Sequence, residues 1–308
     1  MENERLPRIS VIIVAYNRKE FLTNAIKSAL NQTLDKKYYE IIVIKNFLDD
    51  SIDNFILENN IKGIISKENS LGGKLIEALN IATGTIISFL EDDDLFSNNK
   101  LEIVNNKFTK IRNLCYYHND NIPVSKDYNR KDMTQNKEIW FNLSSISIEK
   151  HIINVNNILK ENFSMDHFMY IQALESNKKI IKGKEKLTYY MEHQGSSSEL
   201  ITNNLNQFVS ESILRNKKML RIILEFRKTC SSKKAISYIN AVVASYKLTL
   251  YFYGISERPN DILKYFFYSP SFYKFKVIIA YILVRLNKNF RTNFIYRSFR
   301  YFQNSVDK

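Results

Sequence analysis

Four consecutive acidic side chains, Glu91, Asp92, Asp93 and Asp94, form the group with the clearest capacity for chemistry. They directly follow the apolar segment 86–90, which is typical of a buried strand. Neighbouring negative charges repel one another unless a cation is present, and carboxylate oxygens suit Mg²⁺ or Mn²⁺. A divalent ion held here could bind a diphosphate and neutralise its charge as it leaves. The alternative is a solvated acidic turn that caps the next helix.

The residues before this cluster predict elements that would hold it at one edge of a sheet. Strand patterns alternate with helical patterns, which indicates βαβ units and a parallel sheet. Ligands bind at the carboxyl ends of the strands in such sheets. The predicted strands are 9–14, 41–44, 63–66 and 86–90, and the predicted helices are 21–30, 52–57 and 74–82, the last of them ended by Gly84 as a C′ glycine.

The remainder of the chain predicts further α/β elements and then a helical region. Helices are expected at 98–112 and 166–175, and strands at 114–118, 138–143 and 180–193. From about residue 200 the apolar periodicity is helical throughout. We therefore expect a catalytic domain over residues 1–200 and a basic, aromatic-rich helical region over residues 201–308.

The order and spacing of these motifs resemble those of glycosyltransferase family 2. The resemblance covers about residues 7–200 and implies an inverting transferase that moves a sugar from a UDP- or GDP-sugar to an acceptor hydroxyl. It also implies the GT-A fold, an α/β architecture with a Rossmann-like mixed sheet. The segments that carry it are Ile9-Ser10-Val11-Ile12-Ile13-Val14-Ala15-Tyr16-Asn17-Arg18, Leu30-Asn31-Gln32-Thr33, Asn80-Ile81-Ala82-Thr83-Gly84 and Phe89-Leu90-Glu91-Asp92-Asp93-Asp94.

The resemblance assigns the acidic cluster to a Mn²⁺ or Mg²⁺ site. Asp93 is then the main metal ligand, Asp92 lies near the donor ribose or diphosphate, and Glu91 takes the place of the first acid of the motif. His193, in a loop of Gly and Ser residues, would complete the metal shell or touch the diphosphate. A structural role for this histidine is the alternative.

The nucleotide pocket is expected to draw on the turns after several strands. Its predicted residues are Ala15, Tyr16, Asn17, Lys45, Asn46 and Lys74. Family members usually carry acidic residues after the second strand, so the sequence Lys45-Asn46-Phe47 departs from the pattern. The amide of Asn46 can still hydrogen-bond a base edge. Lys74 would meet a phosphate or, alternatively, face solvent.

An inverting transferase also needs a base that takes the proton of the acceptor hydroxyl. Asp166, in Ser164-Met165-Asp166-His167-Phe168, matches the family's catalytic motif, although Met165 replaces one of the two usual acids. A plain helix cap is the alternative for Asp166. Trp140 is the single tryptophan, and it would line the acceptor site or pack in a core.

The net charge of +13 belongs to the C-terminal third of the chain. Residues 200–308 contain 19 Lys and Arg against 5 Asp and Glu, whereas residues 1–199 contain 26 against 27. Basic, aromatic helices can lie in a membrane interface, which would suit a glycan or lipid-linked acceptor. A helical bundle that forms a homo-oligomer is the alternative. We find no nucleic-acid-binding motif.

The location in the cell is also predicted from composition. Two separated cysteines, a polar segment at residues 1–8 and apolar runs too short to span a bilayer predict a cytoplasmic protein, peripheral at most at the cytoplasmic face of the membrane. Two other functions remain open on the sequence alone. One is a sugar-phosphate nucleotidyltransferase, although the first turn lacks the glycine-rich loop of that class. The other is a degenerate transferase fold that binds nucleotides or acts as a scaffold.

Overall fold

The structure is a computed structural model that describes residues 9–16, 19–125, 142–158, 165–192, 204–255, 274–286 and 288–306. The chain divides into two compact units, Met1–Glu192 and His193–Lys308. The division of the sequence into domains at residue 200 stays a prediction.

The first unit begins with the alternating elements that the sequence predicts. The strands β1 and β2 are buried along their whole length, because continuous apolar runs of this kind are stable only when both faces of the sheet are covered. The elements are β1 (Ile9–Val14), α1 (Lys19–Leu30), β2 (Tyr39–Lys45), α2 (Asp50–Glu58), β3 (Lys62–Ile65), α3 (Leu71–Ile81) and β4 (Ile86–Glu91).

The second half of this unit adds strands on the other side of β4. They are β5 (Leu95–Phe96), β6 (Leu114–Ser125), β7 (Ile146–Glu149) and β8 (Lys179–Glu192), with the helices α4 (Lys100–Lys110) and α5 (Met165–Glu175) between them. The eight strands form one sheet in the order β3-β2-β1-β4-β7-β6-β8-β5. The first four are parallel, β7 is antiparallel to both of its neighbours, β6 and β8 are parallel, and β5 is antiparallel to β8. The sheet is therefore mixed, as the fold class predicted.

Two local predictions are wrong. Gly84 is not the C′ residue of α3, because that helix ends at Ile81 and its C-cap is Ala82, in an extended conformation (φ −62°, ψ 129°). The N–H of Gly84 instead donates to the Ser10 hydroxyl over 2.8 Å. The predicted strand 138–143 is wrong at its end, because Leu143 lies in a short 3₁₀ turn, Leu143–Ser145. Positions 138–141 of that prediction lie outside the described residues.

A buried carboxylate joins three segments at the amino ends of the strands. Glu40 Oε1 accepts hydrogen bonds from the hydroxyls of Ser10 (2.6 Å) and Thr83 (2.7 Å), and Glu40 Oε2 pairs with Lys62 Nζ at 2.7 Å. Burial raises the pKa of Glu40, but these hydrogen bonds outweigh burial and lower the pKa to about 2. The charged form of Glu40 therefore stabilises the fold.

The second unit is helical in the residues that are described. It contains α6 (Leu205–Arg227), α7 (Lys233–Phe252), α8 (Lys274–Leu286) and α9 (Lys288–Val306). Leu248, Tyr251 and Phe252 of α7 pack against Tyr281 and Val284 of α8, with Phe294 of α9 at the edge of the cluster. None of the described helices combines the length and hydropathy that crossing a bilayer requires.

Candidate active site

The acidic cluster lies at the carboxyl end of β4, where the sheet changes from parallel to antiparallel pairing. Its side chains alternate in exposure: Asp92 and Asp94 are buried, whereas Glu91 and Asp93 are partly exposed. The four carboxylates therefore separate into two pairs. The buried pair bonds to the protein, and the other pair is accessible to a ligand.

Asp92 joins the acidic cluster to the turn after β1. Its Oδ2 accepts a hydrogen bond from the backbone N–H of Tyr16 over 3.0 Å. The ammonium of Lys74, a buried residue in the first turn of α3, lies 4.3 Å from the centre of the Tyr16 ring. Burial lowers the pKa of Lys74, while the charges of Asp92 and Glu77 oppose that shift. One cation, one carboxylate and one aromatic ring thus meet at the carboxyl ends of β1 and β4.

Asp94 holds the other side of the same turn. Its Oδ1 accepts from the backbone N–H of Met191 over 3.1 Å, and its Oδ2 accepts from the side-chain amide of Asn142 over 2.6 Å. Asn142 in turn accepts from the amide of Asn121 in β6 over 3.1 Å. Asp94 therefore connects β4 to β8 and to the 3₁₀ turn before β7.

A buried lysine donates a hydrogen bond to a residue that contacts the acidic cluster. Lys100 is fully buried at the start of α4, and its ammonium donates to the carbonyl of Ser144 and, over 3.0 Å, to the hydroxyl of Thr188. Ser144 also accepts from the backbone N–H of Glu91 over 2.9 Å. Lys100 and Asn142 were not among the site residues predicted from the sequence. A lysine at a helix start is normally solvated, so the residue type of Lys100 did not indicate a buried position.

The pKa values in the acidic cluster reflect an excess of negative charge. Burial and the charges of Asp94, Asp93, Asp166 and Asp92 raise the pKa of Glu91 well above its usual range. Burial and the charge of Asp93 also raise the pKa of Asp94 to about 7, against opposing hydrogen bonds from Ser144 and Met191. A bound cation would relieve this repulsion, because it stabilises the ionised carboxylates.

Asp166 lies close enough to the acidic cluster for its charge to act on Glu91. It occupies the first turn of α5. Burial raises the pKa of Asp166, although the charge of His167 and backbone hydrogen bonds oppose the shift. A carboxylate with a raised pKa accepts a proton more readily than an exposed one.

The donor set fits a divalent ion that a substrate would help to hold. Within the described part of the chain, no three His, Cys, Asp or Glu side chains converge as a metal cage would require. Mg²⁺ is usually bound by one or two carboxylates together with substrate phosphates and water. Asp93 and Glu91, both partly exposed, offer hard oxygen ligands for such an arrangement.

The remaining predicted site residues fall into three groups. Ala15 is buried, and its N–H donates to the carbonyl of Ile44 over 2.9 Å, so it shapes the turn after β1. The Lys45 ammonium is committed within the protein, because it pairs with Asp53 at 2.7 Å and donates to the carbonyl of Phe47. Asn46 is partly exposed beside it. Asn17, Trp140 and His193 lie outside the described residues, and their roles stay predictions.

A family comparison matches the part of the chain that contains this site. The family described as "Glycosyl transferase family 2" matches residues 10–172, just over half of the 308 residues. The match includes β1 from Ser10 onward, the acidic cluster and Asp166.

Curated relatives show similarity over different lengths. A protein of Campylobacter jejuni, "GalNAc(5)-diNAcBac-PP-undecaprenol beta-1,3-glucosyltransferase", is 24% identical over 267 residues, which cover 79% of this chain and 85% of that protein. An uncharacterized glycosyltransferase of Rickettsia bellii is 32% identical over 115 residues, which cover 36% of this chain and 16% of that protein. The chain thus spans less than a fifth of that Rickettsia protein.

Solved structures are similar in fold. The mannosyltransferase PcManGT of Pyrobaculum calidifontis, in complex with GDP-Man and Mn²⁺, has a TM-score of 0.58 at 11% identity and covers 97% of this chain and 85% of that one. TarS 1-349 of S. aureus, in complex with UDP-GlcNAc, has a TM-score of 0.55 at 14% identity and covers 84% and 78%. At such identities the likeness concerns the fold.

Proposed function

The chain belongs to glycosyltransferase family 2 and has the GT-A fold, and from this premise we propose an inverting, metal-assisted transfer in which Asp166 is the base. That the protein transfers a sugar from a nucleotide-sugar follows from the family itself. The assignment of Asp166 as the base is supported by an electrostatic interaction. The charge of Asp166 is among the causes that raise the pKa of Glu91, which supports one site for the proposed base and the acidic cluster.

The donor would bind at the carboxyl ends of β1 and β4. Lys74 supplies a cation for a donor phosphate, and Tyr16, which is 46% exposed, supplies an aromatic face beside it. Asp92 holds the turn after β1 in place through the N–H of Tyr16. We expect a UDP- or GDP-sugar, since the two solved relatives carry UDP-GlcNAc and GDP-Man.

Asp93, with Glu91 beside it, would hold Mn²⁺ or Mg²⁺ against the donor diphosphate. When bound, such an ion neutralises the negative charge that develops on the leaving diphosphate. Both carboxylates belong to a cluster whose mutual repulsion a cation would relieve. His193 completes this part of the proposal as a further ligand or a diphosphate contact.

The transfer step would be a single displacement. The acceptor oxygen forms a bond to the anomeric carbon while the bond from that carbon to the diphosphate breaks. The hydroxyl proton passes to the Asp166 carboxylate, and the configuration at carbon inverts. Burial raises the pKa of Asp166, which suits a group that must take up a proton.

The acceptor would be a glycan or a lipid-linked sugar. The name of the Campylobacter jejuni relative includes an undecaprenol diphosphate, and an acceptor of this chemistry would bring the enzyme to the cytoplasmic face of a membrane. Trp140 would contribute to the acceptor site. Assembly of the helical unit into a homo-oligomer is a separate proposal, for which the measurement is the solution mass.

The base is tested by the substitution Asp166→Asn, which keeps the side-chain shape. We expect turnover of the accepted donor and acceptor to fall by about a hundred- to ten-thousand-fold, with donor affinity almost unchanged. Glu175→Gln, at the other end of the same helix, is the matched control. Wild-type turnover by the Asp166 variant would overturn this assignment.

The metal site is tested by Asp93→Asn, read both by turnover and by thermal shift with a nucleoside diphosphate. We expect the Mn²⁺ concentration required for half-maximal effect to rise roughly tenfold or more in both measurements. Asp50→Asn, in the first turn of α2, is the control. An unchanged Mn²⁺ requirement would remove Asp93 from the proposed ligands.

A further inference from the structure

The helix α8 is apolar on two opposite faces. One face carries Tyr281 and Val284, which are buried against α7. The other carries Ile279, Ile282 and Leu286, which are 56%, 48% and 77% exposed. Their spacing of three and four residues places them in one stripe along the helix. We call these three residues the outer stripe.

Exposure of such a stripe is unusual for a surface helix. Surface helices of globular proteins normally carry polar residues on the face away from the core. Contiguous exposed apolar side chains commonly mark an interaction site. Near the outer stripe in sequence, Phe290 and Tyr296 of α9 are also 43% and 47% exposed. Both helices thus carry exposed apolar side chains.

All charged side chains of α8 and α9 are positive. The two helices contain no Asp or Glu, and their basic residues are Lys274, Lys276, Arg285, Lys288, Arg291, Arg297 and Arg300. Arg285 and Arg297 are exposed, whereas Arg291 lies over the Tyr251 ring at 5.6 Å. A partner of this surface must therefore tolerate, or require, concentrated positive charge.

We propose that the outer stripe and the cations around it dock on an anionic lipid surface, with the stripe inserted between the headgroups. Helices that lie in a membrane interface combine an apolar face with Lys and Arg in this way. Anionic lipids attract such residues. Arg285 lies beside the stripe on the same helix and is itself exposed, so insertion of Leu286 brings this cation to the headgroups.

Two other partners fit these residues less well. A second copy of the chain would bring an identical set of cations against the first, and like charges at an interface are unfavourable. A nucleic acid would satisfy the cations, but three exposed aliphatic side chains offer nothing to its phosphates. The lipid surface is the partner that uses both the charge and the stripe.

Docking on a membrane rests on the proposed function, because it would bring the enzyme to a lipid-linked acceptor. Its test does not depend on turnover, since binding to vesicles is measured without donor or acceptor. Failure of vesicle binding would leave the transfer chemistry intact. Failure of the Asp166 test would likewise leave the docking surface intact.

The test is flotation of the full chain with phosphatidylcholine vesicles, with and without phosphatidylglycerol. We expect the wild-type protein to float with the anionic vesicles only. The triple variant Ile279→Ser, Ile282→Ser, Leu286→Ser should lose about tenfold or more of this binding. The double variant Arg285→Glu, Arg297→Glu should lose a similar amount. Leu57→Ser, at a 76% exposed leucine of α2, is the matched control and should bind as wild type.

Three outcomes would overturn the inference. They are equal binding to neutral vesicles, binding of the triple variant at the wild-type level, and a wild-type protein that ignores vesicles but changes its oligomeric state when the stripe is altered. Circular dichroism monitors folding of each variant. If the triple variant does not fold, the single substitution Leu286→Ser replaces it, because this side chain is largely exposed and a fivefold loss is still measurable.

Discussion

Lys100 is a residue whose burial depends on the partners that surround it. Its ammonium donates to Ser144 and Thr188 and interacts with the charge of Asp94. Removing one partner from a buried hydrogen bond leaves the others unsatisfied, which costs about 1–3 kcal/mol. The lysine therefore contributes to the network that holds the acidic cluster.

We expect Lys100→Met to lower the free energy of unfolding by about 1–3 kcal/mol. The carbonyl of Ser144 and the hydroxyl of Thr188 each lose the bond from the Lys100 ammonium. Thr188 still donates to Ser144 over 3.1 Å, and Asn119 still donates to Thr188 over 3.0 Å. Urea denaturation measures the change. Lys110→Met, at the exposed end of the same helix, should leave stability within about 0.5 kcal/mol of wild type. Equal stability of both variants would show that the Lys100 hydrogen bonds add no net stability.

The proposed role of Asp166 as the base predicts that the rate depends on pH. A general base works in its ionised form, so turnover should fall as the pH drops through its pKa. Because burial raises that pKa above the ordinary value of 3.8, the acidic limb of the turnover profile should lie at higher pH than that of an exposed carboxyl. The Asp166→Asn variant should lack this limb. A wild-type profile that stays flat down to the ordinary carboxyl range would contradict the role.

Residue type alone could predict the acidic cluster, and it could not predict the network that holds it. Four carboxylates after a buried strand are visible in the sequence. The hydrogen bonds that Asp94 accepts from Met191 and Asn142 join residues far apart in the chain, and no local pattern encodes those contacts. The assignments of Asp93, Asp166 and the donor residues remain predictions.

At the scale of elements, Glu40 ties the amino ends of β1 and β2 to the segment before β4. Its pKa is about 2 in the folded protein, against 4.5 for the free group. A carboxyl with a depressed pKa stabilises the fold above its unfolded pKa, and this contribution is lost as the pH falls through the folded value. The stabilisation should therefore disappear between about pH 4.5 and pH 2.

We expect Glu40→Gln to lower the free energy of unfolding at neutral pH by about 2–3 kcal/mol. The difference from wild type should shrink steadily as the pH is lowered below about 4.5. Urea titrations along a pH series measure it. Glu58→Gln, at the exposed end of α2, is the control. A constant difference at all pH values would mean that shape, and not charge, is the source of the effect.

The elements differ in how well the sequence predicted them. The strands β1 to β4 follow from continuous apolar runs, which admit few alternatives. β6 is much longer than the predicted strand 114–118, because polar residues after His118 still pair with β8. The insertion of β7 between β4 and β6 depends on long-range pairing, which periodicity does not report.

At the scale of the molecule, the charge is concentrated in residues 200–308. Salt screens such charges over a distance of about 8–10 Å at ordinary ionic strength. We expect binding to anionic vesicles to weaken strongly as the salt concentration rises, while turnover of a water-soluble acceptor changes little. Flotation and turnover along one salt series measure both. Salt-independent flotation would indicate that the outer stripe alone accounts for binding.

The strand order also determines when the site can form during synthesis of the chain on the ribosome. Leu95, next to the acidic cluster, pairs with Tyr189 in β8, so the strand that borders the cluster emerges long after the cluster itself. At ordinary translation speeds the interval is roughly 5–20 s. During that time the nascent chain carries its carboxylates without the neighbour that positions them. Donor binding should therefore be a late event in biogenesis, and a chain stalled before β8 should be unable to bind donor.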